Sequence, residues 1–241
     1  MSKTATLEFD GKKYEFPVTV GTEDEIGVDI KKLRGEAGII TLDPGFKNTG
    51  SCESAITFLD GEQGILRYRG YAIEDLAEKA DFLEVAYLLI FGELPNKQQL
   101  EKFTNDIKEQ SHVDEEMKKI LDGFPKSAHP MGVLSSLTSA LIAFNPSSVD
   151  VSSEEDMYKA IVKILGKFPV LAAWTLRKKN SLPLNYGDED LGYVENLHKM
   201  MFEKPNKTYS VDKAVIDALD KLLILHADHE QNCSTSTVRM V

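Results

Sequence analysis

Three features of this sequence predict a mainly α fold with a small N-terminal β module. Short alternating stretches around Asp10-Gly11 and Asp60-Gly61 read as hairpins and are confined to roughly the first 70 residues. From Tyr71 onward, apolar residues recur at helical spacing, separated by capping residues and glycine stops. The chain holds no GxGxxG, P-loop or Gly-x-Ser-x-Gly element, so no nucleotide-binding turn or nucleophile elbow competes with that reading. The expected organisation is a β-rich module over 1–70 and a helical body over 71–241.

The elements run in order. Thr6 to Val18 forms two short stretches about Asp10-Gly11, and Ser54 to Arg69 repeats the pattern about Asp60-Gly61. Asp43-Pro-Gly-Phe46 between them is a turn. Ile73 to Lys79 is a short helix. Asp81 with Glu84 makes a capping box for Phe82 to Phe91, which Gly92 ends. Asn96 opens the next helix, and Val113 to Leu121 is amphipathic. His129-Pro-Met131 opens an apolar segment to Phe144, expected as a buried central helix. Phe144 to Ser153 resembles a linker. Ser152 with Glu155 caps a helix running towards Gly166, and Pro169 punctuates the next stretch, up to Lys179. Asp190 to Phe202 is another helix, and Ser210 caps the last.

Bulk composition narrows the function classes. The 241 residues carry a net charge of −11, a poor match for nucleic acid or an anionic membrane. Hydrophobic residues at 42% supply a sizeable core. No apolar run reaches a membrane span, and the N-terminus has no signal-peptide core. Two cysteines, Cys52 and Cys233, match no disulfide or zinc spacing, which points to a reducing, cytoplasmic setting.

Candidate chemistry concentrates near the C-terminus. Val215, Leu219 and Leu222 lie on one helical stripe, and the same rhythm reaches His226 and His229. A core stripe that turns polar at its last positions is entering a pocket. From spacing alone three readings stay open: a polarised helix end, recognition of a carboxylate or carbonyl by imidazole N–H groups, and a metal-binding pair. The zinc-protease order His-Glu-x-x-His is absent. Asn232 to Thr237 is dense in small hydrogen-bonding side chains, a pattern suited to close packing. Lys163 and Lys167 form an i,i+4 like-charge pair that an anion would compensate.

Several blocks together are similar to the citrate synthase family, in its bacterial hexameric type II form. They are Asp43-Pro-Gly-Phe46, Ser51-Cys-Glu-Ser54, Ile56-Thr-Phe-Leu-Asp-Gly61, Gly64-Ile-Leu66, Arg69-Gly70, Leu83-Glu-Val85, Gly92-Glu93, His129-Pro-Met131, Met200-Met-Phe202, Leu223 to Asn232 and Ser234 to Arg239. The resemblance implies a multi-helical citrate synthase-like domain whose C-terminal part is missing, and condensation of acetyl-CoA with oxaloacetate followed by hydrolysis of citryl-CoA. It implies that His229 binds oxaloacetate with His226 and Asn232 beside it, with no metal and no resident cofactor, acetyl-CoA being a substrate. It also implies a homo-oligomer. The family's catalytic histidine and aspartate match nothing in these 241 residues, so the chain alone is expected to be inactive and its exposed apolar surface to drive self-association. Lys163 and Lys167 match basic positions of an allosteric nucleotide site in some members. Asn145, Asn206 and Gln110-Ser111 depart from that site and count against inhibition by NADH. A helical interaction fragment without catalysis, and a metal-dependent helical phosphohydrolase, are the competing readings.

Overall fold

The computed structural model describes residues 3–45, 47–146, 152–228 and 230–240. Phe46, His229 and most of the expected linker between Phe144 and Ser153 lie outside the described residues. Two compact units meet between Ser54 and Ala55, so the second expected hairpin belongs with the helices rather than with the first. The physical reason is Tyr68: it is fully buried and packs with Ile73, Leu76, Val85 and Ile224.

In the first unit, β1 (Thr4–Phe9), β2 (Lys12–Val20) and β3 (Ile26–Val28) form an antiparallel sheet in sequence order. Asp10 and Gly11, with φ of 52° and 74°, make the two-residue turn that pairs Phe9 with Lys12. Both residues tolerate the left-handed conformation that such a turn demands. Tyr14, Phe16 and Val18 share the inward face of β2, and Phe16 is its buried anchor. A short helix, α1 (Leu33–Ala37), buries Leu33. The Asp43 carboxylate accepts the backbone N–H groups of Lys47 and Asn48 and the Thr49 hydroxyl.

The second unit begins with β4 (Thr57–Asp60), β5 (Ile65–Tyr68) and β6 (Tyr71–Ala72), again antiparallel. Asp60 accepts the N–H groups of Glu62 and Gln63 and so shapes the first turn. Arg69 and Gly70, both at positive φ, make the second. Then come α2 (Ile73–Lys79), α3 (Phe82–Phe91), α4 (Lys97–Glu109), α5 (Met117–Asp122), α6 (Pro130–Phe144), α7 (Glu154–Lys179), α8 (Tyr193–Phe202), α9 (Lys213–Leu225) and α10 (Cys233–Met240). The capping box of Asp81 and Glu84 is formed on α3, and Asn96 with Gln99 forms another on α4. His129 accepts the Met131 N–H through Nδ1, with Pro130 in the first turn of α6. Elsewhere the starts shift by one to four residues: α5 begins at Met117, not Val113, and α8 at Tyr193, not Asp190. Ser153, not Ser152, caps α7 by accepting from Asp156, and Asp212, not Ser210, caps α9.

Two helices depart more instructively. Pro169 does not interrupt α7, which runs 26 residues through it. A proline there leaves the Leu165 carbonyl without its helical N–H partner. The Tyr193 hydroxyl donates to that carbonyl at 2.9 Å, so the orphan acceptor is satisfied from α8. Gly166, one turn earlier, lies against α4: a Cβ there would come within 2.6 Å of the Ile107 carbonyl oxygen. The second helix is α6. It buries Val133, Leu137 and Leu141 on one face, whereas Met131 and Ile142 on the other are 64% and 51% exposed. It is one-sided rather than central.

The principal core joins α5, α6, α7 and α8 around Trp174, whose indole N–H donates to the Asn185 carbonyl at 3.0 Å. The buried Arg177 closes the far end of α7 by donating to the carbonyls of Pro183, Met200 and Glu203.

Candidate functional site

The candidate site is the segment joining α9 to α10. Helix α9 packs on α2, α3 and α8, and its fully buried Ile224 joins the cluster of Tyr68, Ile73, Leu76 and Val85. The stripe expected in the core is elsewhere. Val215, Leu219 and Leu222 line an open, largely apolar groove of about 510 Å³ together with His198 and Phe202. The helix also stops at Leu225 and does not carry the rhythm to residue 229. His226 is the capping residue at its C-terminus, exposed, with Nδ1 donating to the Leu222 carbonyl at 2.7 Å. That contact places a ring proton on Nδ1, because a carbonyl oxygen can only accept.

The chain turns sharply after His226. Asp228 is half-buried, and its carboxylate accepts the Thr57 hydroxyl and, at 3.0 Å, the Glu230 N–H. This second bond bridges position 229 from one side to the other. Glu230 adopts a φ of 61°, an uncommon conformation for a side chain of that size. Tyr68 reaches the same bend from β5. Its hydroxyl lies 2.9 Å from the Asp228 carbonyl and 3.2 Å from the Ile224 carbonyl, and accepts the Asp228 N–H at 3.4 Å. Burial raises the Tyr68 phenol above its ordinary value, so it keeps its proton and donates at neutral pH. Asn232 comes after the bend, accepts the Thr235 N–H at 2.7 Å and thereby caps α10.

The structure therefore brings His226 and Asn232 to the two ends of one short connection, while His229, between them in sequence, lies outside the described residues. Lys163 and Lys167 are on α7, in a different part of the unit. Lys167 is buried and donates to the His112 carbonyl. Burial first, and the neighbouring Lys163 second, hold its ammonium below the usual lysine value. Thr57 and Tyr68 are the participants that reasoning from the sequence missed. They precede Asp228 by 171 and 160 residues, and no local pattern connects them. The one available signal was the inward register of Tyr68 on β5.

A family model described as citrate synthase, C-terminal domain, matches residues 45–241. The chain is 46% identical over 237 residues to citrate synthase of Corynebacterium glutamicum, covering 98% of this chain and 54% of that protein. It is 45% identical over 238 residues to citrate synthase 1 of Mycobacterium tuberculosis, covering 99% and 55% respectively. The chain thus spans about half the length of the curated relatives it matches. Among solved structures, citrate synthase from Thermotoga maritima MSB8 superposes with a TM-score of 0.66 at 32% identity, covering 81% of this chain and 49% of the other. The Thermoplasma acidophilum citrate synthase, solved with carboxymethyl coenzyme A and oxaloacetate, gives 0.73 at 23% identity, covering 81% and 50%, which speaks for the fold alone.

Proposed function

The chain belongs to the citrate synthase family, and from that premise we propose that it serves the condensation of acetyl-CoA with oxaloacetate and the hydrolysis of citryl-CoA, contributing the part that holds oxaloacetate. One observation carries this reading: on one side of position 229 helix α9 ends with His226 as its cap, and on the other the Glu230 N–H is tied to Asp228 and the Thr235 N–H to Asn232. A histidine at that position can donate N–H groups to a carboxylate or carbonyl oxygen of a small dicarboxylic acid. We assign His229 that contact, with His226 and Asn232 as neighbours that shape the connection. No resident metal or cofactor enters the proposal, and acetyl-CoA is a substrate.

The chemistry at the acetyl methyl group needs a base and a hydrogen-bond donor to the enol. The aspartate and histidine with those roles in the family have no counterpart in the matching blocks of these 241 residues. We therefore propose that the isolated chain does not turn over. The acidic composition is compatible with a cytoplasmic setting. The exposed apolar residues of α6, α8 and α9 favour a homo-oligomer. Lys167 already donates to a backbone carbonyl, which weakens the nucleotide-phosphate role considered for it and Lys163.

The test has two arms. The purified 241-residue chain is assayed for thiol release from acetyl-CoA with oxaloacetate, and release above blank overturns the proposed inactivity. A chimera in which these residues replace the matching half of the C. glutamicum relative is assayed in parallel. Turnover that drops with a raised oxaloacetate KM in His229→Ala is expected. A folded chimera without turnover, or one indifferent to His229→Ala, overturns the assignment.

A further inference from the structure

The geometry points to Thr57 and Tyr68 as positioning residues for oxaloacetate, their hydroxyls set against the carboxylate and carbonyl of Asp228, next in sequence to position 229. The inference rests on the proposed role of His229, and it is argued from groups on either side of that residue.

Tyr68 sits in the apolar cluster of Ile73, Leu76, Val85 and Ile224, where phenylalanine would fill the same space. A hydroxyl in that setting is costly to bury unless it is bonded. It is bonded to the backbone on both sides of His226, at Ile224 and at Asp228. Thr57, eleven residues earlier on the partner strand of the hairpin, holds the Asp228 carboxylate. The same carboxylate holds the Glu230 N–H. Three backbone positions around residue 229, namely 224, 228 and 230, are therefore fixed by two side chains of the β4–β5 hairpin, directly or through Asp228. The hairpin has an anchorage of its own: the Arg69 guanidinium donates to the Leu89 carbonyl of α3 at 2.7 Å. The left-handed Glu230 needs such support, because a non-glycine residue in that region relaxes unless its surroundings over-determine it.

Hydrogen exchange of the 241-residue chain, without substrate, tests the ordering. In Thr57→Val, exchange across residues 226–232 should speed up by about fivefold or more, as loss of one hydrogen bond at a local opening predicts. Peptides from α4 and α7 should be unchanged, and Thr57→Ser should restore the protection. Tyr68→Phe should have the same local effect, and Thr57→Val alone decides should that variant fail to fold. Unchanged exchange at 226–232 overturns the inference. In the C. glutamicum chimera, Thr57→Val should raise the oxaloacetate KM with kcat and the acetyl-CoA KM unchanged. An equal rise in both KM values, or none, marks a merely structural contact and also overturns it. A wild-type chimera without turnover sinks the functional reading and the oxaloacetate role with it, while the exchange arm still decides whether these hydroxyls order the bend.

Discussion

Helices α7 and α9 both carry apolar residues at helical spacing, yet they use them in opposite ways. Helix α7 buries eleven residues, Trp174 and Leu171 completely, and its awkward polar groups are answered from within the unit. Tyr193 supplies the partner that Pro169 removes, and Arg177 ties the helix end to α8. Helix α9 buries only Ile224 fully, while Val215 and Leu222 on its other side are 46% and 52% exposed. An apolar stripe is thus a capacity for burial and does not name the surface that meets it. On α7 the capacity is met by α4, α6 and α8 of the same unit. On α9 one stripe is met by α2 and α3, and the other lines a groove.

The sharpest way to break this contrast is to truncate its best-buried member. Trp174→Ala should cost about 3–5 kcal/mol in denaturant unfolding; a cost near zero would mean that the α7 core is not packed around this ring. Tyr193→Phe comes next. It keeps the ring stacked on Phe82 but strands the Leu165 carbonyl, for a loss of about 1–3 kcal/mol. If this variant is as stable as the parent, some other donor answers Pro169.

A third test probes the buried side of α9 by pH. Asp220 accepts the Phe82 N–H at 3.1 Å, and burial holds its carboxyl above the usual range, with Asp81, Asp217 and Glu84 adding to the effect. The folded chain therefore holds this proton more tightly than the unfolded one. The resulting stabilisation is full below the ordinary carboxylate value of about 4 and is lost as pH rises through the folded value. Asp220→Asn does not ionise, so its Tm relative to the parent should climb between pH 4 and pH 7. A constant difference would contradict the shift. The smallest effect belongs to the groove: Leu222→Gln should change stability by no more than about 0.5 kcal/mol in a dilute monomer. A loss several times larger that grows with protein concentration would show that another copy covers this stripe.

Local punctuation was readable in advance because its physics is local. The Asp10-Gly11 turn, the capping boxes at Asp81 and Asn96, and the His129-Pro130 start each involve groups within a few residues of one another. The block around residue 229 was legible as a candidate site for the same reason, since its residue types are adjacent. Its surroundings were not. The end of α9 at Leu225 is set where the chain turns to meet Tyr68 and Thr57, more than 150 residues earlier.

By itself, then, the sequence determined the mainly helical class, the two hairpins, most helix starts and the family, since each depends on short-range periodicity, turn chemistry or matched blocks. Only the tertiary structure decided which stripe of α9 is buried, why a helix passes through Pro169, and which hydroxyls grip the bend near residue 229. Those outcomes depend on which donors and apolar faces distant segments bring together, and no local pattern encodes that meeting.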